Sequence, residues 1–360
     1  MSEIERKPAP LAFKPDLEDA ARRWNAFFAG DIIDRPVVCV TAPRPGFTPL
    51  VWPTYRDRAF GDIDEMIDRA LAAAEATYWG GEAVPNFLVS FGPDEIAVFC
   101  GATLRWNDAS GDTSWSVPCI EDWEQALPIR LQHDHSLWQR MLEIYRRASE
   151  RMGGKVLLTP PDLHTNMDLL AAMRGPQRLC LDLLERPEII DRAMADTLVV
   201  FRELWDAITR AGRMDELGYW QGVYSMEGAA MLQCDFSAMI SPKMFRRWVL
   251  PVLEEEAAIV KHVYYHWDGP SALPHANDLI ASKRLHTLSY VPGEGRGQPI
   301  NYLDLYRRVQ AGGKAVAVWG TPEELKQMHR ELRPEKTLYS ATVNTPDEAE
   351  ELLEWFVKNT

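Results

Sequence analysis

Along this chain, short runs of β-branched and aromatic residues alternate with longer stretches whose apolar residues recur at helical spacing. The runs at 36–41, 86–91, 155–159, 217–223, 263–267, 287–291, 315–319 and 337–341 read as strands. Between them, residues 17–28 predict a helix stopped by Gly30, and 62–79 and 137–152 predict two more, the latter closed by Gly153-Gly154. Further helices are expected over 167–173, 176–184, 187–211, 271–282, 301–311, 322–331 and 346–358. Ser241-Pro242 caps and opens a helix to about Val249, and Pro251 begins another reaching Lys261. Residues 100–120 read as a hairpin-like excursion around Gly111-Asp112, and residues 1–15 as a loose arm.

From residue 155 onward strands alternate with helices over compact connections, about eight strands fit the whole chain, and such alternation predicts a parallel sheet. The expectation is an α/β fold, a (β/α)8 TIM barrel formed by residues 16–360 as one domain with an N-terminal helical extension. An open doubly wound sheet is the alternative. It would call for Gly-x-Gly-x-x-Gly between an early strand and helix, whereas the glycine cluster at 293–297 is late and differently spaced.

Composition narrows the function. The 360 residues are 46% hydrophobic, enough for a large core, and 53 acidic against 39 basic side chains give a net charge of −14. That balance disfavours a nucleic-acid partner. No apolar run approaches the length of a membrane span, and the N-terminus lacks the apolar stretch of a secretory signal. Five scattered cysteines without a Cys-x-x-Cys pair suit a reducing, cytoplasmic setting. Thirteen tryptophans is a high number for this length; such rings are often core, yet they also line pockets for apolar or cationic ligands.

In a barrel the active site sits at the carboxyl ends of the strands. That rule collects Arg44, Asp94, Asp162 with His164, Trp220 with Tyr224 and Glu227, His266 with Asp268, and the Glu294/Arg296 loop. His266 and Asp268, two apart on a strand, project to one side and can converge on a metal ion or a substrate. Imidazole with carboxylates suits zinc or another divalent metal, with Glu227 or Asp235 as third ligand. Asp94, His164 and Glu227 are candidate catalytic groups; Arg44, Trp220, Tyr224 and Arg296 are candidate substrate contacts. Gly293, Gly295 and Gly297, placed after the seventh strand, suggest a backbone nest for an anion or a plain flexible turn.

Several segments resemble the uroporphyrinogen decarboxylase superfamily, which also holds methylcobamide:thiol and substrate:corrinoid methyltransferases. They are RRWNAFFAGDIIDRP at 22–36, PQRLCLDLLERP at 176–187, DFSAMISPKMFRRWVLP at 235–251, His266-Trp267-Asp268-Gly269 and the GTPEEL segment at 320–325. The resemblance covers most of the chain and implies the same barrel. The decarboxylases carry several arginines after the first strand and a late Gly-His-Gly turn; here Arg44 stands alone and residues 340–346 hold no His, which argues against uroporphyrinogen as substrate. Thiol-methylating members bind zinc through His-x-Cys and a late Cys. Asp268 in place of the first Cys makes a harder Lewis acid, suited to an ether, alcohol or carboxylate. The resemblance therefore implies a metal-assisted methyltransferase acting on a small O- or N-methylated substrate, with a corrinoid acceptor on a partner protein. Two alternatives stand beside it. One is a metal-independent decarboxylase or lyase, with Arg44 on the substrate carboxylate and Asp94 or His164 moving the proton. The other is a non-catalytic binding subunit. A homodimer is left open.

Overall fold

In the computed structural model, residues 7–48, 50–106 and 112–360 are described. The first six residues of the expected arm and the tip of the 100–120 hairpin, Gly111 included, lie outside them. Eight strands follow the chain in the expected rhythm: β1 (Val38–Pro43), β2 (Asn86–Leu88), β3 (Leu157–Thr159), β4 (Ala229–Gln233), β5 (His262–Asp268), β6 (Thr287–Val291), β7 (Ala315–Trp319) and β8 (Thr337–Thr342). A seven-stranded sheet runs from Thr77–Gly81 through β1, β8, β7, β6 and β5 to β4. All its neighbours are parallel except the first pair, in which Thr77–Gly81 runs antiparallel to β1. β2 and β3 form a separate parallel pair.

The architecture is α/β with the strand order of a TIM barrel, but the hydrogen-bonded wall is not closed. Among the described residues no main-chain ladder joins β1 to β2 or β3 to β4. Side chains span the second gap. The Gln221 amide nitrogen donates to the Pro161 carbonyl at 2.9 Å, and its oxygen accepts from the Met231 amide at 2.9 Å. The Asn166 amide nitrogen donates to the Gln233 carbonyl at 2.9 Å, and the Gln233 side chain returns a bond to Asp162. Buried main-chain groups need partners. Here side-chain amides stand in for a ladder.

Strand alternation sorts each strand's side chains. On β5, Val263, Tyr265 and Trp267 are buried outward against the helices, whereas Tyr264, His266 and Asp268 face inward and are only half-buried. The amino end of the barrel is plugged by the helix Leu17–Ala29, whose Phe28 stacks on His262 with ring centroids 3.8 Å apart. Behind it, the buried Glu82 carboxylate holds Arg35 in a two-pronged pair and also accepts the Val38 amide at 2.9 Å. The Asp34-Arg35-Pro36 motif thus enters β1 on a fixed ion pair. The arm is less loose than expected: Leu11 and Lys14 are buried, and Lys14 donates to the Trp79 and Gly81 carbonyls at 3.0 and 2.6 Å.

One strand was expected in the wrong place. The 217–223 run supplies only Tyr219–Trp220, bridged antiparallel to Tyr224–Ser225, and the fourth barrel strand is Ala229–Gln233. Gly218, Gly222 and Gly228 all take positive φ, and a Cβ on Gly222 would lie 2.8 Å from the Tyr264 ring. Ala229 to Gln233 lacks β-branched residues, so no periodic signal marked it. The two helices expected around Pro251 are continuous. Pro242–Met244 runs through a π-helical turn, Phe245–Val249, into Leu250–Val260, and the wider turn accommodates the proline that cannot donate.

Candidate active site

At the carboxyl ends of β2 to β5 the chain collects buried acids around an imidazole. His164 follows β3 by five residues and is 12% exposed at its side chain. Its Nε2 lies 3.4 Å from Asp162 and its Nδ1 lies 3.7 Å from Asp168. A neutral imidazole has one N–H, so an imidazolium fits this pair of carboxylates. Burial alone would lower its pKa; the bond to Asp162 and the charges of Asp162, Asp168 and Asp235 outweigh it and raise the pKa to about 10. At 3.7 Å the Nδ1 side is an ion pair without a hydrogen bond, leaving that N–H able to donate elsewhere.

The surrounding carboxyls are held by the backbone. Asp168, on the helix Asn166–Arg174, accepts the Asp235 and Phe236 amides at 2.9 and 2.8 Å, which ties β4's exit to β3's. Burial lifts its pKa to about 6. Asp235 is raised by burial too, and its Oδ1 is a buried atom with no hydrogen-bond partner. It interacts electrostatically with His164, His266, Asp268 and Asp162. Glu95 opens the short helix after β2, is fully buried, and accepts from Ser90 Oγ at 2.8 Å and the Phe91 amide at 2.6 Å. Burial, only partly opposed by those bonds, pushes its pKa up to about 8.

Over β1, β7 and β8 lies a cavity of roughly 860 Å³. Trp79, Trp220 and Trp319 contribute three of its walls, with Thr41 and Ser340 between them. Of these, Trp220 stands edge-on to the buried Trp24 at 6.0 Å.

Not all candidate residues meet there. His266 and Asp268 face inward beside Asp235, as their spacing implied. Glu227 does not join them. It precedes β4, and Ala229 pairs with His262 while Gln233 pairs with His266, so Glu227 stands at the opposite end of the barrel, ion-paired with Lys261. Its assignment as metal ligand and catalytic group followed from misplacing the fourth strand. Tyr224 shares that error: it is buried at the amino end, its hydroxyl 3.1 Å from the Met226 sulfur. Arg44 lines a separate outer pocket with Tyr78 and Glu350. Asp94 accepts from the Ser116 amide at 3.1 Å and anchors Ser114–Val117, which pairs antiparallel with Thr103–Trp106; its neighbour Glu95 is the buried acid. Arg296 is exposed on the glycine loop, which follows β6 rather than a seventh strand.

A metal centre on His266, Asp268 and Glu227 therefore does not fit. Among the described residues no group of three or more His, Cys, Asp or Glu side chains is arranged to hold one ion. Sequence reasoning missed Asp168, Glu95 and Arg58. Glu95 was one residue from the chosen Asp94, and helix phase was the signal that could have separated them. Arg58 is buried, stacks over Tyr55 and Phe87 at 5.2 and 5.6 Å, and leaves its Nε without a hydrogen-bond partner.

The fold is similar to that of a methyltransferase from Methanosarcina mazei. The two structures align with a TM-score of 0.62 at 14% sequence identity, over 94% of this chain and 98% of that one. At that identity the likeness is one of fold. No protein-family model matches the sequence, and no curated protein does. Among the described residues, no helix is long and apolar enough to cross a membrane.

Proposed function

We propose that the protein is a methyltransferase that takes a methyl group from a small O- or N-methylated molecule and passes it to a corrinoid carried by a partner protein. The observation that carries this reading is His164, a buried imidazolium between two carboxylates on the barrel face that also opens the tryptophan-lined cavity. A methyl group leaves only from an atom made electron-poor. With an ether donor, the C–O bond breaks with its electron pair on oxygen, the methyl carbon bonds to the acceptor, and the His164 proton goes to that oxygen. Asp162, Asp168 and Asp235 keep the imidazole charged until the donor arrives and hold it in place afterwards. A reduced corrinoid would supply the nucleophile. The likeness in fold to a methyltransferase supports the same reading.

The test is to offer methoxylated aromatics and methylammonium compounds with a reduced corrinoid protein and follow methylation of the corrinoid by its absorbance. Donor-dependent methylation that slows in His164→Gln is the expected result. A second reading is favoured by Arg58, whose unpartnered Nε beside Glu95 would hold a substrate carboxylate for a metal-independent decarboxylation. Release of carbon dioxide with no methylated corrinoid would replace the first reading by the second.

A further inference from the structure

The cavity over β1, β7 and β8 is built for a particular charge. Trp79 comes from the strand antiparallel to β1, Trp220 from the short bridge before β4, and Trp319 from the end of β7, so three separate segments bring indole rings to one space. No Lys, Arg or His is among the described residues that line it. Its charged residues are Glu324 and Glu348, and neither is in an ion pair among the described residues. Each commits one carboxylate oxygen to a helix start: Glu324 Oε2 accepts the Thr321 amide at 2.8 Å, and Glu348 Oε2 accepts the Asn344 amide at 3.0 Å. The basic groups near this end lie outside that lining: His164 among its carboxylates, Arg44 in the outer pocket, Arg58 in the buried site with Glu95, and Arg296 on the glycine loop.

Aromatic faces attract cations through the ring quadrupole, and desolvated indoles do so best. Carboxylates at the same mouth, in a chain of net charge −14, add attraction for a cation and repel an anion. Water hydrates a primary ammonium too strongly for indoles to compete, whereas an N-methylated ammonium presents a charged but apolar surface. We infer that this cavity is a binding site for a quaternary or tertiary methylammonium compound, with Trp79, Trp220 and Trp319 as its cage and Glu324 and Glu348 as its counter-charges. Binding stands on the cavity alone; assigning that cation as the methyl donor rests on the methyl-transfer function proposed above. In a quaternary donor the C–N bond breaks with its electron pair on nitrogen, the methyl goes to the acceptor, and the neutral tertiary amine leaves and takes its proton from solvent.

The experiment is calorimetric titration of the full chain with choline and with its neutral carbon isostere, in which a tert-butyl group replaces trimethylammonium. Choline should bind saturably and about 3- to 30-fold more tightly than the isostere. Trp319→Phe should keep most of that preference and Trp319→Leu should lose it, with circular dichroism confirming that both fold. Glu348→Gln should weaken choline and leave the isostere unchanged, a second handle should Trp319→Leu not fold. Equal binding of the two ligands, tighter binding of methoxybenzoate, or a choline preference untouched by both variants would overturn the inference. Choline that binds as expected but never methylates a corrinoid would leave the cage standing and remove that cation as the methyl donor.

Discussion

His164 faces a carboxylate from each ring nitrogen, an arrangement that an amide side chain can fill in shape but not in charge or acidity. His164→Gln is expected to lower kcat by about 10²–10⁴-fold with a smaller change in KM, which a comparison of the two parameters for wild type and variant would check. An equal loss in KM alone would make His164 a binding group. Glu82 is the structural counterpart. Its fully buried carboxylate neutralises Arg35 and accepts the Val38 amide, so Glu82→Ala leaves a buried guanidinium and a buried N–H unpaired. A loss of about 3–5 kcal/mol in denaturant unfolding is expected, against little change for removing an exposed partner such as Glu121.

Between elements, the seam from β3 to β4 depends on side chains. Gln221→Ala removes the side-chain bonds to the Pro160 and Pro161 carbonyls and from the Met231 amide, and an unfolding loss of about 1–3 kcal/mol is expected, with faster hydrogen exchange at the Met231 amide. Unchanged protection there would mean that packing alone holds the seam. This region also marks the limit of what the sequence displays. Strands rich in Val, Ile and aromatic residues, such as β5 to β8, announce themselves by composition. Ala229 to Gln233 does not, because what makes it a strand is pairing with β5, a contact 33 residues away at Ala229–His262. Once that strand was misplaced by a few residues, Tyr224 and Glu227 moved to the wrong end of the barrel with it. His266 and Asp268 were legible because alternation on a well-marked strand fixes which way they face. Arg58 and Glu95 were not, since each lies on a helix of only five or six residues, too short for a period to stand out, and Asp168 was passed over in a helix whose start the sequence reading set one residue late.

Taken as one folded unit, the chain stores protons. His164 and Glu95 both hold one in the folded state where the unfolded chain has released it. His164 contributes stability that is full below about 6.5 and lost as pH rises through about 10; Glu95 costs increasing stability from about 4.5 up to about 8. Both therefore lower stability as the solution becomes more alkaline. The denaturation midpoint should fall between about pH 6 and about pH 9, and Glu95→Gln should flatten the acidic part of that slope. A midpoint that rose over the same interval would contradict both assignments. One further property follows from Lys14, which is 1% exposed with its ammonium against the Trp79 and Gly81 carbonyls. An amine-reactive reagent working on native protein should pass over this lysine while modifying Lys358 at the surface, and reach it only when the structure around it opens. Its labelling rate is then a chemical clock for that opening.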